Sequence, residues 1–239
     1  MGRCMVALLR GSCDLTIMGR DAVKANAVAG RMGIRGGAPA DLPMMDVVVL
    51  TVPTGALLSS ARETSSLMKA GSLLVDVSSV KCGVVGEICS ALPDGVFFIS
   101  IHPLFASPRV RVKNTIVVPV RPGPWMPALT GLLARAGMRV KEASAEEHDR
   151  VMATVQVIPH FALLSIKKAI ARDGRAGDDD LEPFLTHNII KIMRTIGLID
   201  RNVATIEMIQ RENKYATAAR RAFIEEAAKL DAHYSRRKA

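Results

Sequence analysis

Two spacings of apolar residues divide the chain. Through about residue 143, short β-branched or apolar runs recur at Leu15 to Met18, Val47 to Val52, Leu73 to Val77, Phe97 to Ile101 and Thr115 to Val120. Several are apolar at nearly every position, as in parallel strands covered on both faces. Stretches with helical spacing, such as Asp21 to Met32 and Thr54 to Met68, lie between most of them. This alternation predicts an α/β domain with a doubly wound parallel sheet over residues 1–143. From Ser144 the pattern changes. Ser144 followed by Glu147 has the spacing of a capping box, and Val151, Val155, Ile158, Leu163 and Ile166 then recur at helical intervals. A polar break from Arg172 to Asp180, a second helix, and a long third helix from about Asn202 to the tail complete an all-α domain over 144–239.

The first residues predict a helix, with Met1, Met5, Leu8 and Leu9 on one face and Gly11 ending it. A strand follows immediately. In a Rossmann-like dinucleotide fold these are the first helix and the second strand. The first strand and the early glycines of the G-x-G-x-x-G turn should precede them and do not. Gly2 stands for the last glycine, where helix and strand pack closely. The expectation is an N-terminally truncated sequence, the natural protein having roughly ten further residues with a Gly-rich turn after a strand. At the tip of the second strand stand Gly19, Arg20 and Asp21. An acidic residue there binds the ribose of NAD, and an arginine accommodates the 2′-phosphate of NADP. Asp21 is better placed as a helix cap, so Arg20 favours NADP, with NAD the alternative. Val52 and Pro53, within Thr51 to Thr54, end another strand on the cofactor side; an ordinary strand-to-helix turn explains them equally well.

Composition narrows the class. Hydrophobic residues at 49% and charged residues at 23% are globular values, and no uncharged apolar run reaches the roughly 18 residues of a membrane span. No signal-peptide core is visible, since Arg10 ends the first apolar stretch, and a cytoplasmic location is expected. A net charge of +9 fits nucleic acid or small anions. With 4% aromatics and scattered charge, apart from Arg236 to Lys238, small anions are favoured over a base-stacking surface. Cys4, Cys13, Cys82 and Cys89 lack metal or redox spacing, and no metal is expected.

Two strand ends carry polar residues that a core would not choose: Asp76-Val77-Ser78-Ser79-Val80-Lys81 and Ser100-Ile101-His102-Pro103-Leu104-Phe105. The helical domain then opens with His148-Asp149 and Pro159-His160-Phe161. His102 is a candidate acid–base group or a histidine bonded to a backbone carbonyl. His148 alone reads as a surface residue at a helix start. His160 is a site or core histidine. Lys81 either approaches the cofactor, with Ser78, or caps its strand. Arg194, on an apolar helix face, is costly to bury unpaired and favours an anionic partner. His187 and His233 belong to no constellation.

At these residues the chain resembles the prephenate dehydrogenases, particularly the short archaeal-type enzymes of tyrosine biosynthesis. The resemblance rests on Asp76 to Lys81 (D-x-x-S-V-K), His102 to Phe105 (H-P-M/L-F), His148-Asp149 with Pro159-His160, and Met193-Arg194 followed by Asn202 and Ile209 to Asn213. It covers essentially the whole chain. Ala106-Ser107-Pro108 departs from the family's Gly-Pro after H-P-M/L-F. The resemblance implies oxidative decarboxylation of prephenate to 4-hydroxyphenylpyruvate: hydride leaves C4 for the nicotinamide and carbon dioxide leaves the opposite ring carbon. It implies that His102 accepts the hydroxyl proton, since a neutral imidazole suits that role, and that Ser79 hydrogen-bonds near it. It also implies that Arg194 grips the ring carboxylate, with His160 facing the substrate and Asp149 supporting it.

Arogenate is an alternative substrate. A related β-hydroxy acid dehydrogenase would need a catalytic lysine, and Lys167, Lys168 and Lys191 sit in no recognisable motif. A non-catalytic paralogue or binding module is the third option. The apolar stripe Ile206, Ile209, Tyr215, Ala219, Phe223 and Ala227 is seldom buried within one small domain, and with the resemblance it implies a homodimer through the helical domains.

Overall fold

The computed structural model describes residues 1–172 and 179–235. They divide into two compact units, Met1–His148 and Asp149–Ala239. Most of the polar break expected at 172–180, and the basic residues Arg236 to Lys238, lie outside the described residues.

The first unit runs α1 (Gly2–Leu9), β1 (Thr16–Ile17), α2 (Ala22–Met32), β2 (Arg35–Gly36), β3 (Val47–Leu50), α3 (Leu57–Ser65), β4 (Leu73–Asp76), α4 (Val84–Ala91), β5 (Phe97–Pro103), β6 (Asn114–Arg121), α5 (Trp125–Arg135) and β7 (Arg139–Glu142). These strands form two sheets. One has two parallel strands, β1 and β2; the other has five, in the order β3-β4-β5-β6-β7. No described strand is hydrogen-bonded between β1 and β3, so β3 is an edge of the larger sheet. Its residues Val47 to Val49 are only half-buried, whereas every residue of β4 is buried.

Strand alternation sends successive side chains to opposite faces. Leu73, Val75, Ile99, Ile101 and Val117 pack with Met5 and Leu9 of α1 and Leu129 and Leu133 of α5. Leu50, Leu74 and Phe98 pack with Leu57 and Ala61 of α3 and Val85 and Ile88 of α4. Helices on both faces make this a doubly wound sheet.

Two strands escaped the hydrophobic pattern. β2 is only two residues long, and β7 is Arg-Val-Lys-Glu at the other edge. The sheet is also not wholly parallel: β6 runs antiparallel to β5. A parallel crossover needs a dozen or more residues and usually a helix, and the link 104–113 contains no helix. The helix α5 between β6 and β7 restores a parallel pair.

Helix α6 (Ala145–Met152) carries the division between the units. Its start is capped as expected, with Glu147 N–H donating to Ser144 Oγ at 3.0 Å. A π-helical turn, Ala153–Val157, joins it to α7 (Ile158–Arg172). The rest is α8 (His187–Asp200), α9 (Val203–Glu212) and α10 (Ala216–Ser235). The long helix expected from Asn202 onward is therefore two helices. Asn213 has extended backbone. Its Oδ1 accepts from Tyr215 N–H at 2.9 Å and its Nδ2 donates to Asp149 O at 2.8 Å. An asparagine bonding the backbone two residues on turns the chain, and its second bond holds α9 against the helix bearing Asp149. Ile206 and Ile209 are buried inside this unit, and Phe223 meets Phe161 edge to face at 5.8 Å between centroids. Ile224, Leu230 and Tyr234, further along α10, are exposed.

Candidate active site

The carboxyl ends of the parallel strands β4 and β5 hold a buried polar cluster. On β5 the alternation puts Phe98, Ser100 and His102 on one face. Phe98 enters the core, while Ser100 and His102 continue that face to the strand end, at 0% and 4% exposure. On β4 the same face ends in Asp76, which is fully buried.

Lys81 ties the two strand ends together. Its Nζ donates to Ser100 Oγ at 2.6 Å, Ile101 O at 2.8 Å and Ser78 O at 2.7 Å. It also lies 3.6 Å from Asp76 Oδ1. Asp76 Oδ1 accepts from Ser78 N–H at 2.7 Å, and Ser78 Oγ donates to Val80 O at 3.0 Å. Gly83, at φ +83, then turns the chain into α4, a conformation glycine adopts without penalty. An ammonium at 0% exposure persists because donors and charge are both matched.

His102 sits on this platform. Its Nδ1 is 2.9 Å from Nε2 of His148, the rings 5.1 Å apart between centroids. Burial first, and then the nearby charges of Lys81 and His148, hold the His102 imidazole well below its ordinary pKa, so it is neutral. No described residue bonds its Nε2. A neutral imidazole with one nitrogen engaged by the protein and the other unengaged can accept a proton or a hydrogen bond there.

Lys81 Nζ is bonded inside the protein, and Ser78 Oγ bonds within the same loop. Ser79 is half-buried, and the partner of His102 Nδ1 is His148. His148 is not a surface residue. It is 2% exposed, one turn into a helix whose Ala145 packs beside the core of α3 and α4. The signal for it was present in the chain, as a histidine one turn beyond a helix cap, but which way that turn faces is decided by the docking of α6.

On the expected cofactor side, a Cβ added to Gly2 would come within 2.7 Å of Thr51 Oγ1. Helix α1 thus approaches the end of β3 as closely as a dinucleotide-binding turn requires of its last glycine. Asp21 is the N-cap of α2, accepting from Lys24 N–H at 3.0 Å. Gly19 and Arg20 are exposed, and Arg20 has no ion pair among the described residues. Val52 and Pro53 are also exposed. These residues fit the ribose end of a dinucleotide.

The remaining candidates lie in the second unit. Asp149 is fully buried. His160 is half-buried, burial lowers its pKa, and its Nδ1 is out of water with no partner among the described residues. It is therefore not a core histidine with its bonds satisfied. Arg194 is exposed on α8, so the desolvation argument made for it does not apply. The π-turn ahead of His160 is held by α9: Gln210 Nε2 donates to Val157 O at 2.9 Å, and Arg220 donates to Gln210 O at 2.6 Å. Among the described residues no metal-binding cluster exists, and no helix is long and apolar enough to cross a membrane.

Residues 6–115 match the prephenate dehydrogenase nucleotide-binding domain, and residues 144–238 match the prephenate dehydrogenase dimerization domain. A 4-amino-4-deoxyprephenate dehydrogenase from Streptomyces pristinaespiralis is 35% identical over 129 residues, which is 54% of this chain and 43% of that protein. A probable arogenate/prephenate dehydrogenase from Methanocaldococcus jannaschii is 28% identical over 126 residues, 51% of this chain and 28% of that one. The matched region spans less than half of either relative. Among solved structures, prephenate dehydrogenase from A. aeolicus in complex with hydroxyphenyl propionate and NAD+ superposes with a TM-score of 0.77 at 19% identity, over 97% of this chain and 86% of that one. Synechocystis arogenate dehydrogenase gives 0.74 at 16% identity, over 95% and 86%. At those identities the likeness is one of fold.

Proposed function

The chain belongs to the prephenate dehydrogenase family, and on that premise we propose that it catalyses oxidative decarboxylation of prephenate or a close ring analogue, with His102 accepting the proton released at C4. The observation that carries this is the neutral, buried His102 at the carboxyl end of β5, with Nδ1 bonded inside the protein and Nε2 open.

The chemistry asks little of the protein. The C4 hydroxyl proton passes to His102 Nε2 as the C4–H bond breaks with its electron pair, the bond to the ring carboxyl carbon breaks to release carbon dioxide, and the ring becomes aromatic. A bound nicotinamide dinucleotide supplies the acceptor for the C4 hydride. Gly2, Gly19, Arg20, Val52 and Pro53 would hold it, and the exposed Arg20 supports NADP over NAD. Arg194 and His160 are assigned to the anionic groups of the substrate, where a guanidinium fork suits a carboxylate. Ser79 and Asp149 are assigned supporting places beside the substrate. The chain acts as a homodimer through residues 144–238, a reading supported by the exposed apolar residues late in α10.

One observation favours a second substrate. The relative at 35% identity is a 4-amino-4-deoxyprephenate dehydrogenase, and an imidazole acceptor serves a ring amine as it serves a hydroxyl. Assays with prephenate, arogenate and 4-amino-4-deoxyprephenate, each with NADP and NAD, decide between them by kcat/KM. No turnover on any of the three would overturn the proposal. Equal NADP and NAD preference after Arg20→Ala would support the cofactor assignment; an unchanged ratio would remove it. A monomeric mass by light scattering would remove the dimer.

A further inference from the structure

We propose that His148 is a positioning residue whose Nε2 accepts the Nδ1 proton of His102, fixing His102 in the tautomer that leaves a lone pair on Nε2. The N···N separation is 2.9 Å and both rings are buried. Such a contact needs one N–H and one lone pair. Two arrangements satisfy it. If His148 donates, His102 carries its own proton on Nε2 and can only donate to a substrate. If His148 accepts, His102 carries the proton on Nδ1 and its Nε2 can take one. Free neutral histidine favours the Nε2–H form, so the useful tautomer has to be held by whatever bonds Nδ1.

The surroundings oppose a third arrangement, in which His102 is already protonated. Lys81 Nζ lies against Ser100 and Ile101, the residues just before His102 on β5. Asp76 Oδ1 faces that ammonium and accepts from Ser78 N–H. A second buried cation beside Lys81 is disfavoured, so His102 is neutral and the direction of its hydrogen bond with His148 sets its tautomer. When His102 does take a proton, its Nδ1–H still points at a lone pair on His148, which disperses the charge formed in the reaction.

The choice of His148 as acceptor rests, like the substrate at Nε2, on the function proposed above; its test does not. The test uses the full chain with 15N-labelled histidine, without substrate. His102 Nε2 is expected to show the shift of an unprotonated ring nitrogen and Nδ1 that of a protonated one. In His148→Leu the two should exchange, and kcat should fall at least tenfold with little change in KM. His148→Gln, whose Oε1 can accept from Nδ1, should restore the wild-type tautomer and most of the turnover. A protonated Nε2 in the wild type overturns the proposal without any variant having to fold. So does a Leu variant that loses turnover while keeping the tautomer. If the tautomer is as proposed and no substrate turns over, it is the proposed function that fails.

Discussion

Lys81 Nζ lies 3.6 Å from Asp76 Oδ1, with both side chains fully out of water. Asp76 Oδ2 has no hydrogen-bond partner among the described residues. The pair is therefore held by the hydrogen bonds of Lys81 to Ser78, Ser100 and Ile101 as much as by Coulomb attraction. Removing one partner of a buried pair strands the other. Lys81→Met should cost about 3–5 kcal/mol of stability, read as a lowered urea midpoint with an unchanged slope. Restoring neutrality with Lys81→Met plus Asp76→Asn should recover part of that loss. A single variant as stable as wild type would mean the pair is not what joins the ends of β4 and β5.

His102→Asn keeps a hydrogen-bonding group near His148 and removes the proton acceptor. Turnover should fall about 10²- to 10⁴-fold, the usual contribution of a general base. Dinucleotide affinity, measured by fluorescence titration, should stay within a factor of two or so. A parallel loss of both would make His102 a structural residue.

The lowered pKa of His102 links folding to pH with a definite sign. In the unfolded chain the ring titrates at its ordinary 6.5. As the pH falls below that value the unfolded state binds the proton first, and the folded state loses stability. Stability should therefore be flat above about 6.5 and decline below it, by at most about 1.4 kcal/mol per pH unit for this one group. His160, lowered by burial, acts in the same direction. Urea midpoints between pH 8 and 5 check this, and His102→Asn should flatten the decline. A wild-type midpoint that holds steady down to pH 5 would contradict it.

Asn213 joins α9 to Asp149 O through its Nδ2 and turns the chain through its Oδ1. Asn213→Ala removes one hydrogen bond to the buried Asp149 carbonyl and one from the Tyr215 amide, at a cost of about 1–3 kcal/mol. Hydrogen exchange should quicken in α9 and in the start of α10 before it does in β4 or β5. Uniform quickening across both units would show that this bond does not act locally.

Much of this protein was legible in its one-dimensional pattern. The runs that became β3 to β6, the helical spacing of α2, the cap at Ser144 and the polar ends of β4 and β5 are local or periodic features. Burial on two faces, or a cap bonding its own helix, writes directly into nearby residues. The edge strands β2 and β7 were not legible, because an edge needs little hydrophobicity and β7 is mostly charged. Nor was the reversal at β6, which follows from a link with no helix in it. The break at Asn213 depends on a carbonyl 64 positions away.

The division is sharpest at the candidate site. The sequence by itself determined that His102 ends a buried strand, and that Asp76 and Lys81 end its neighbour, since strand alternation and a hydrophobic run leave those residues no other place. Only the tertiary structure decided what each one touches. Lys81 turned inward because a fully buried carboxylate and neighbouring oxygens converge on it, and His148 became the partner of His102 Nδ1 because α6 docks with that face toward β5. Such contacts join residues 46 positions apart, and no spacing along the chain encodes them.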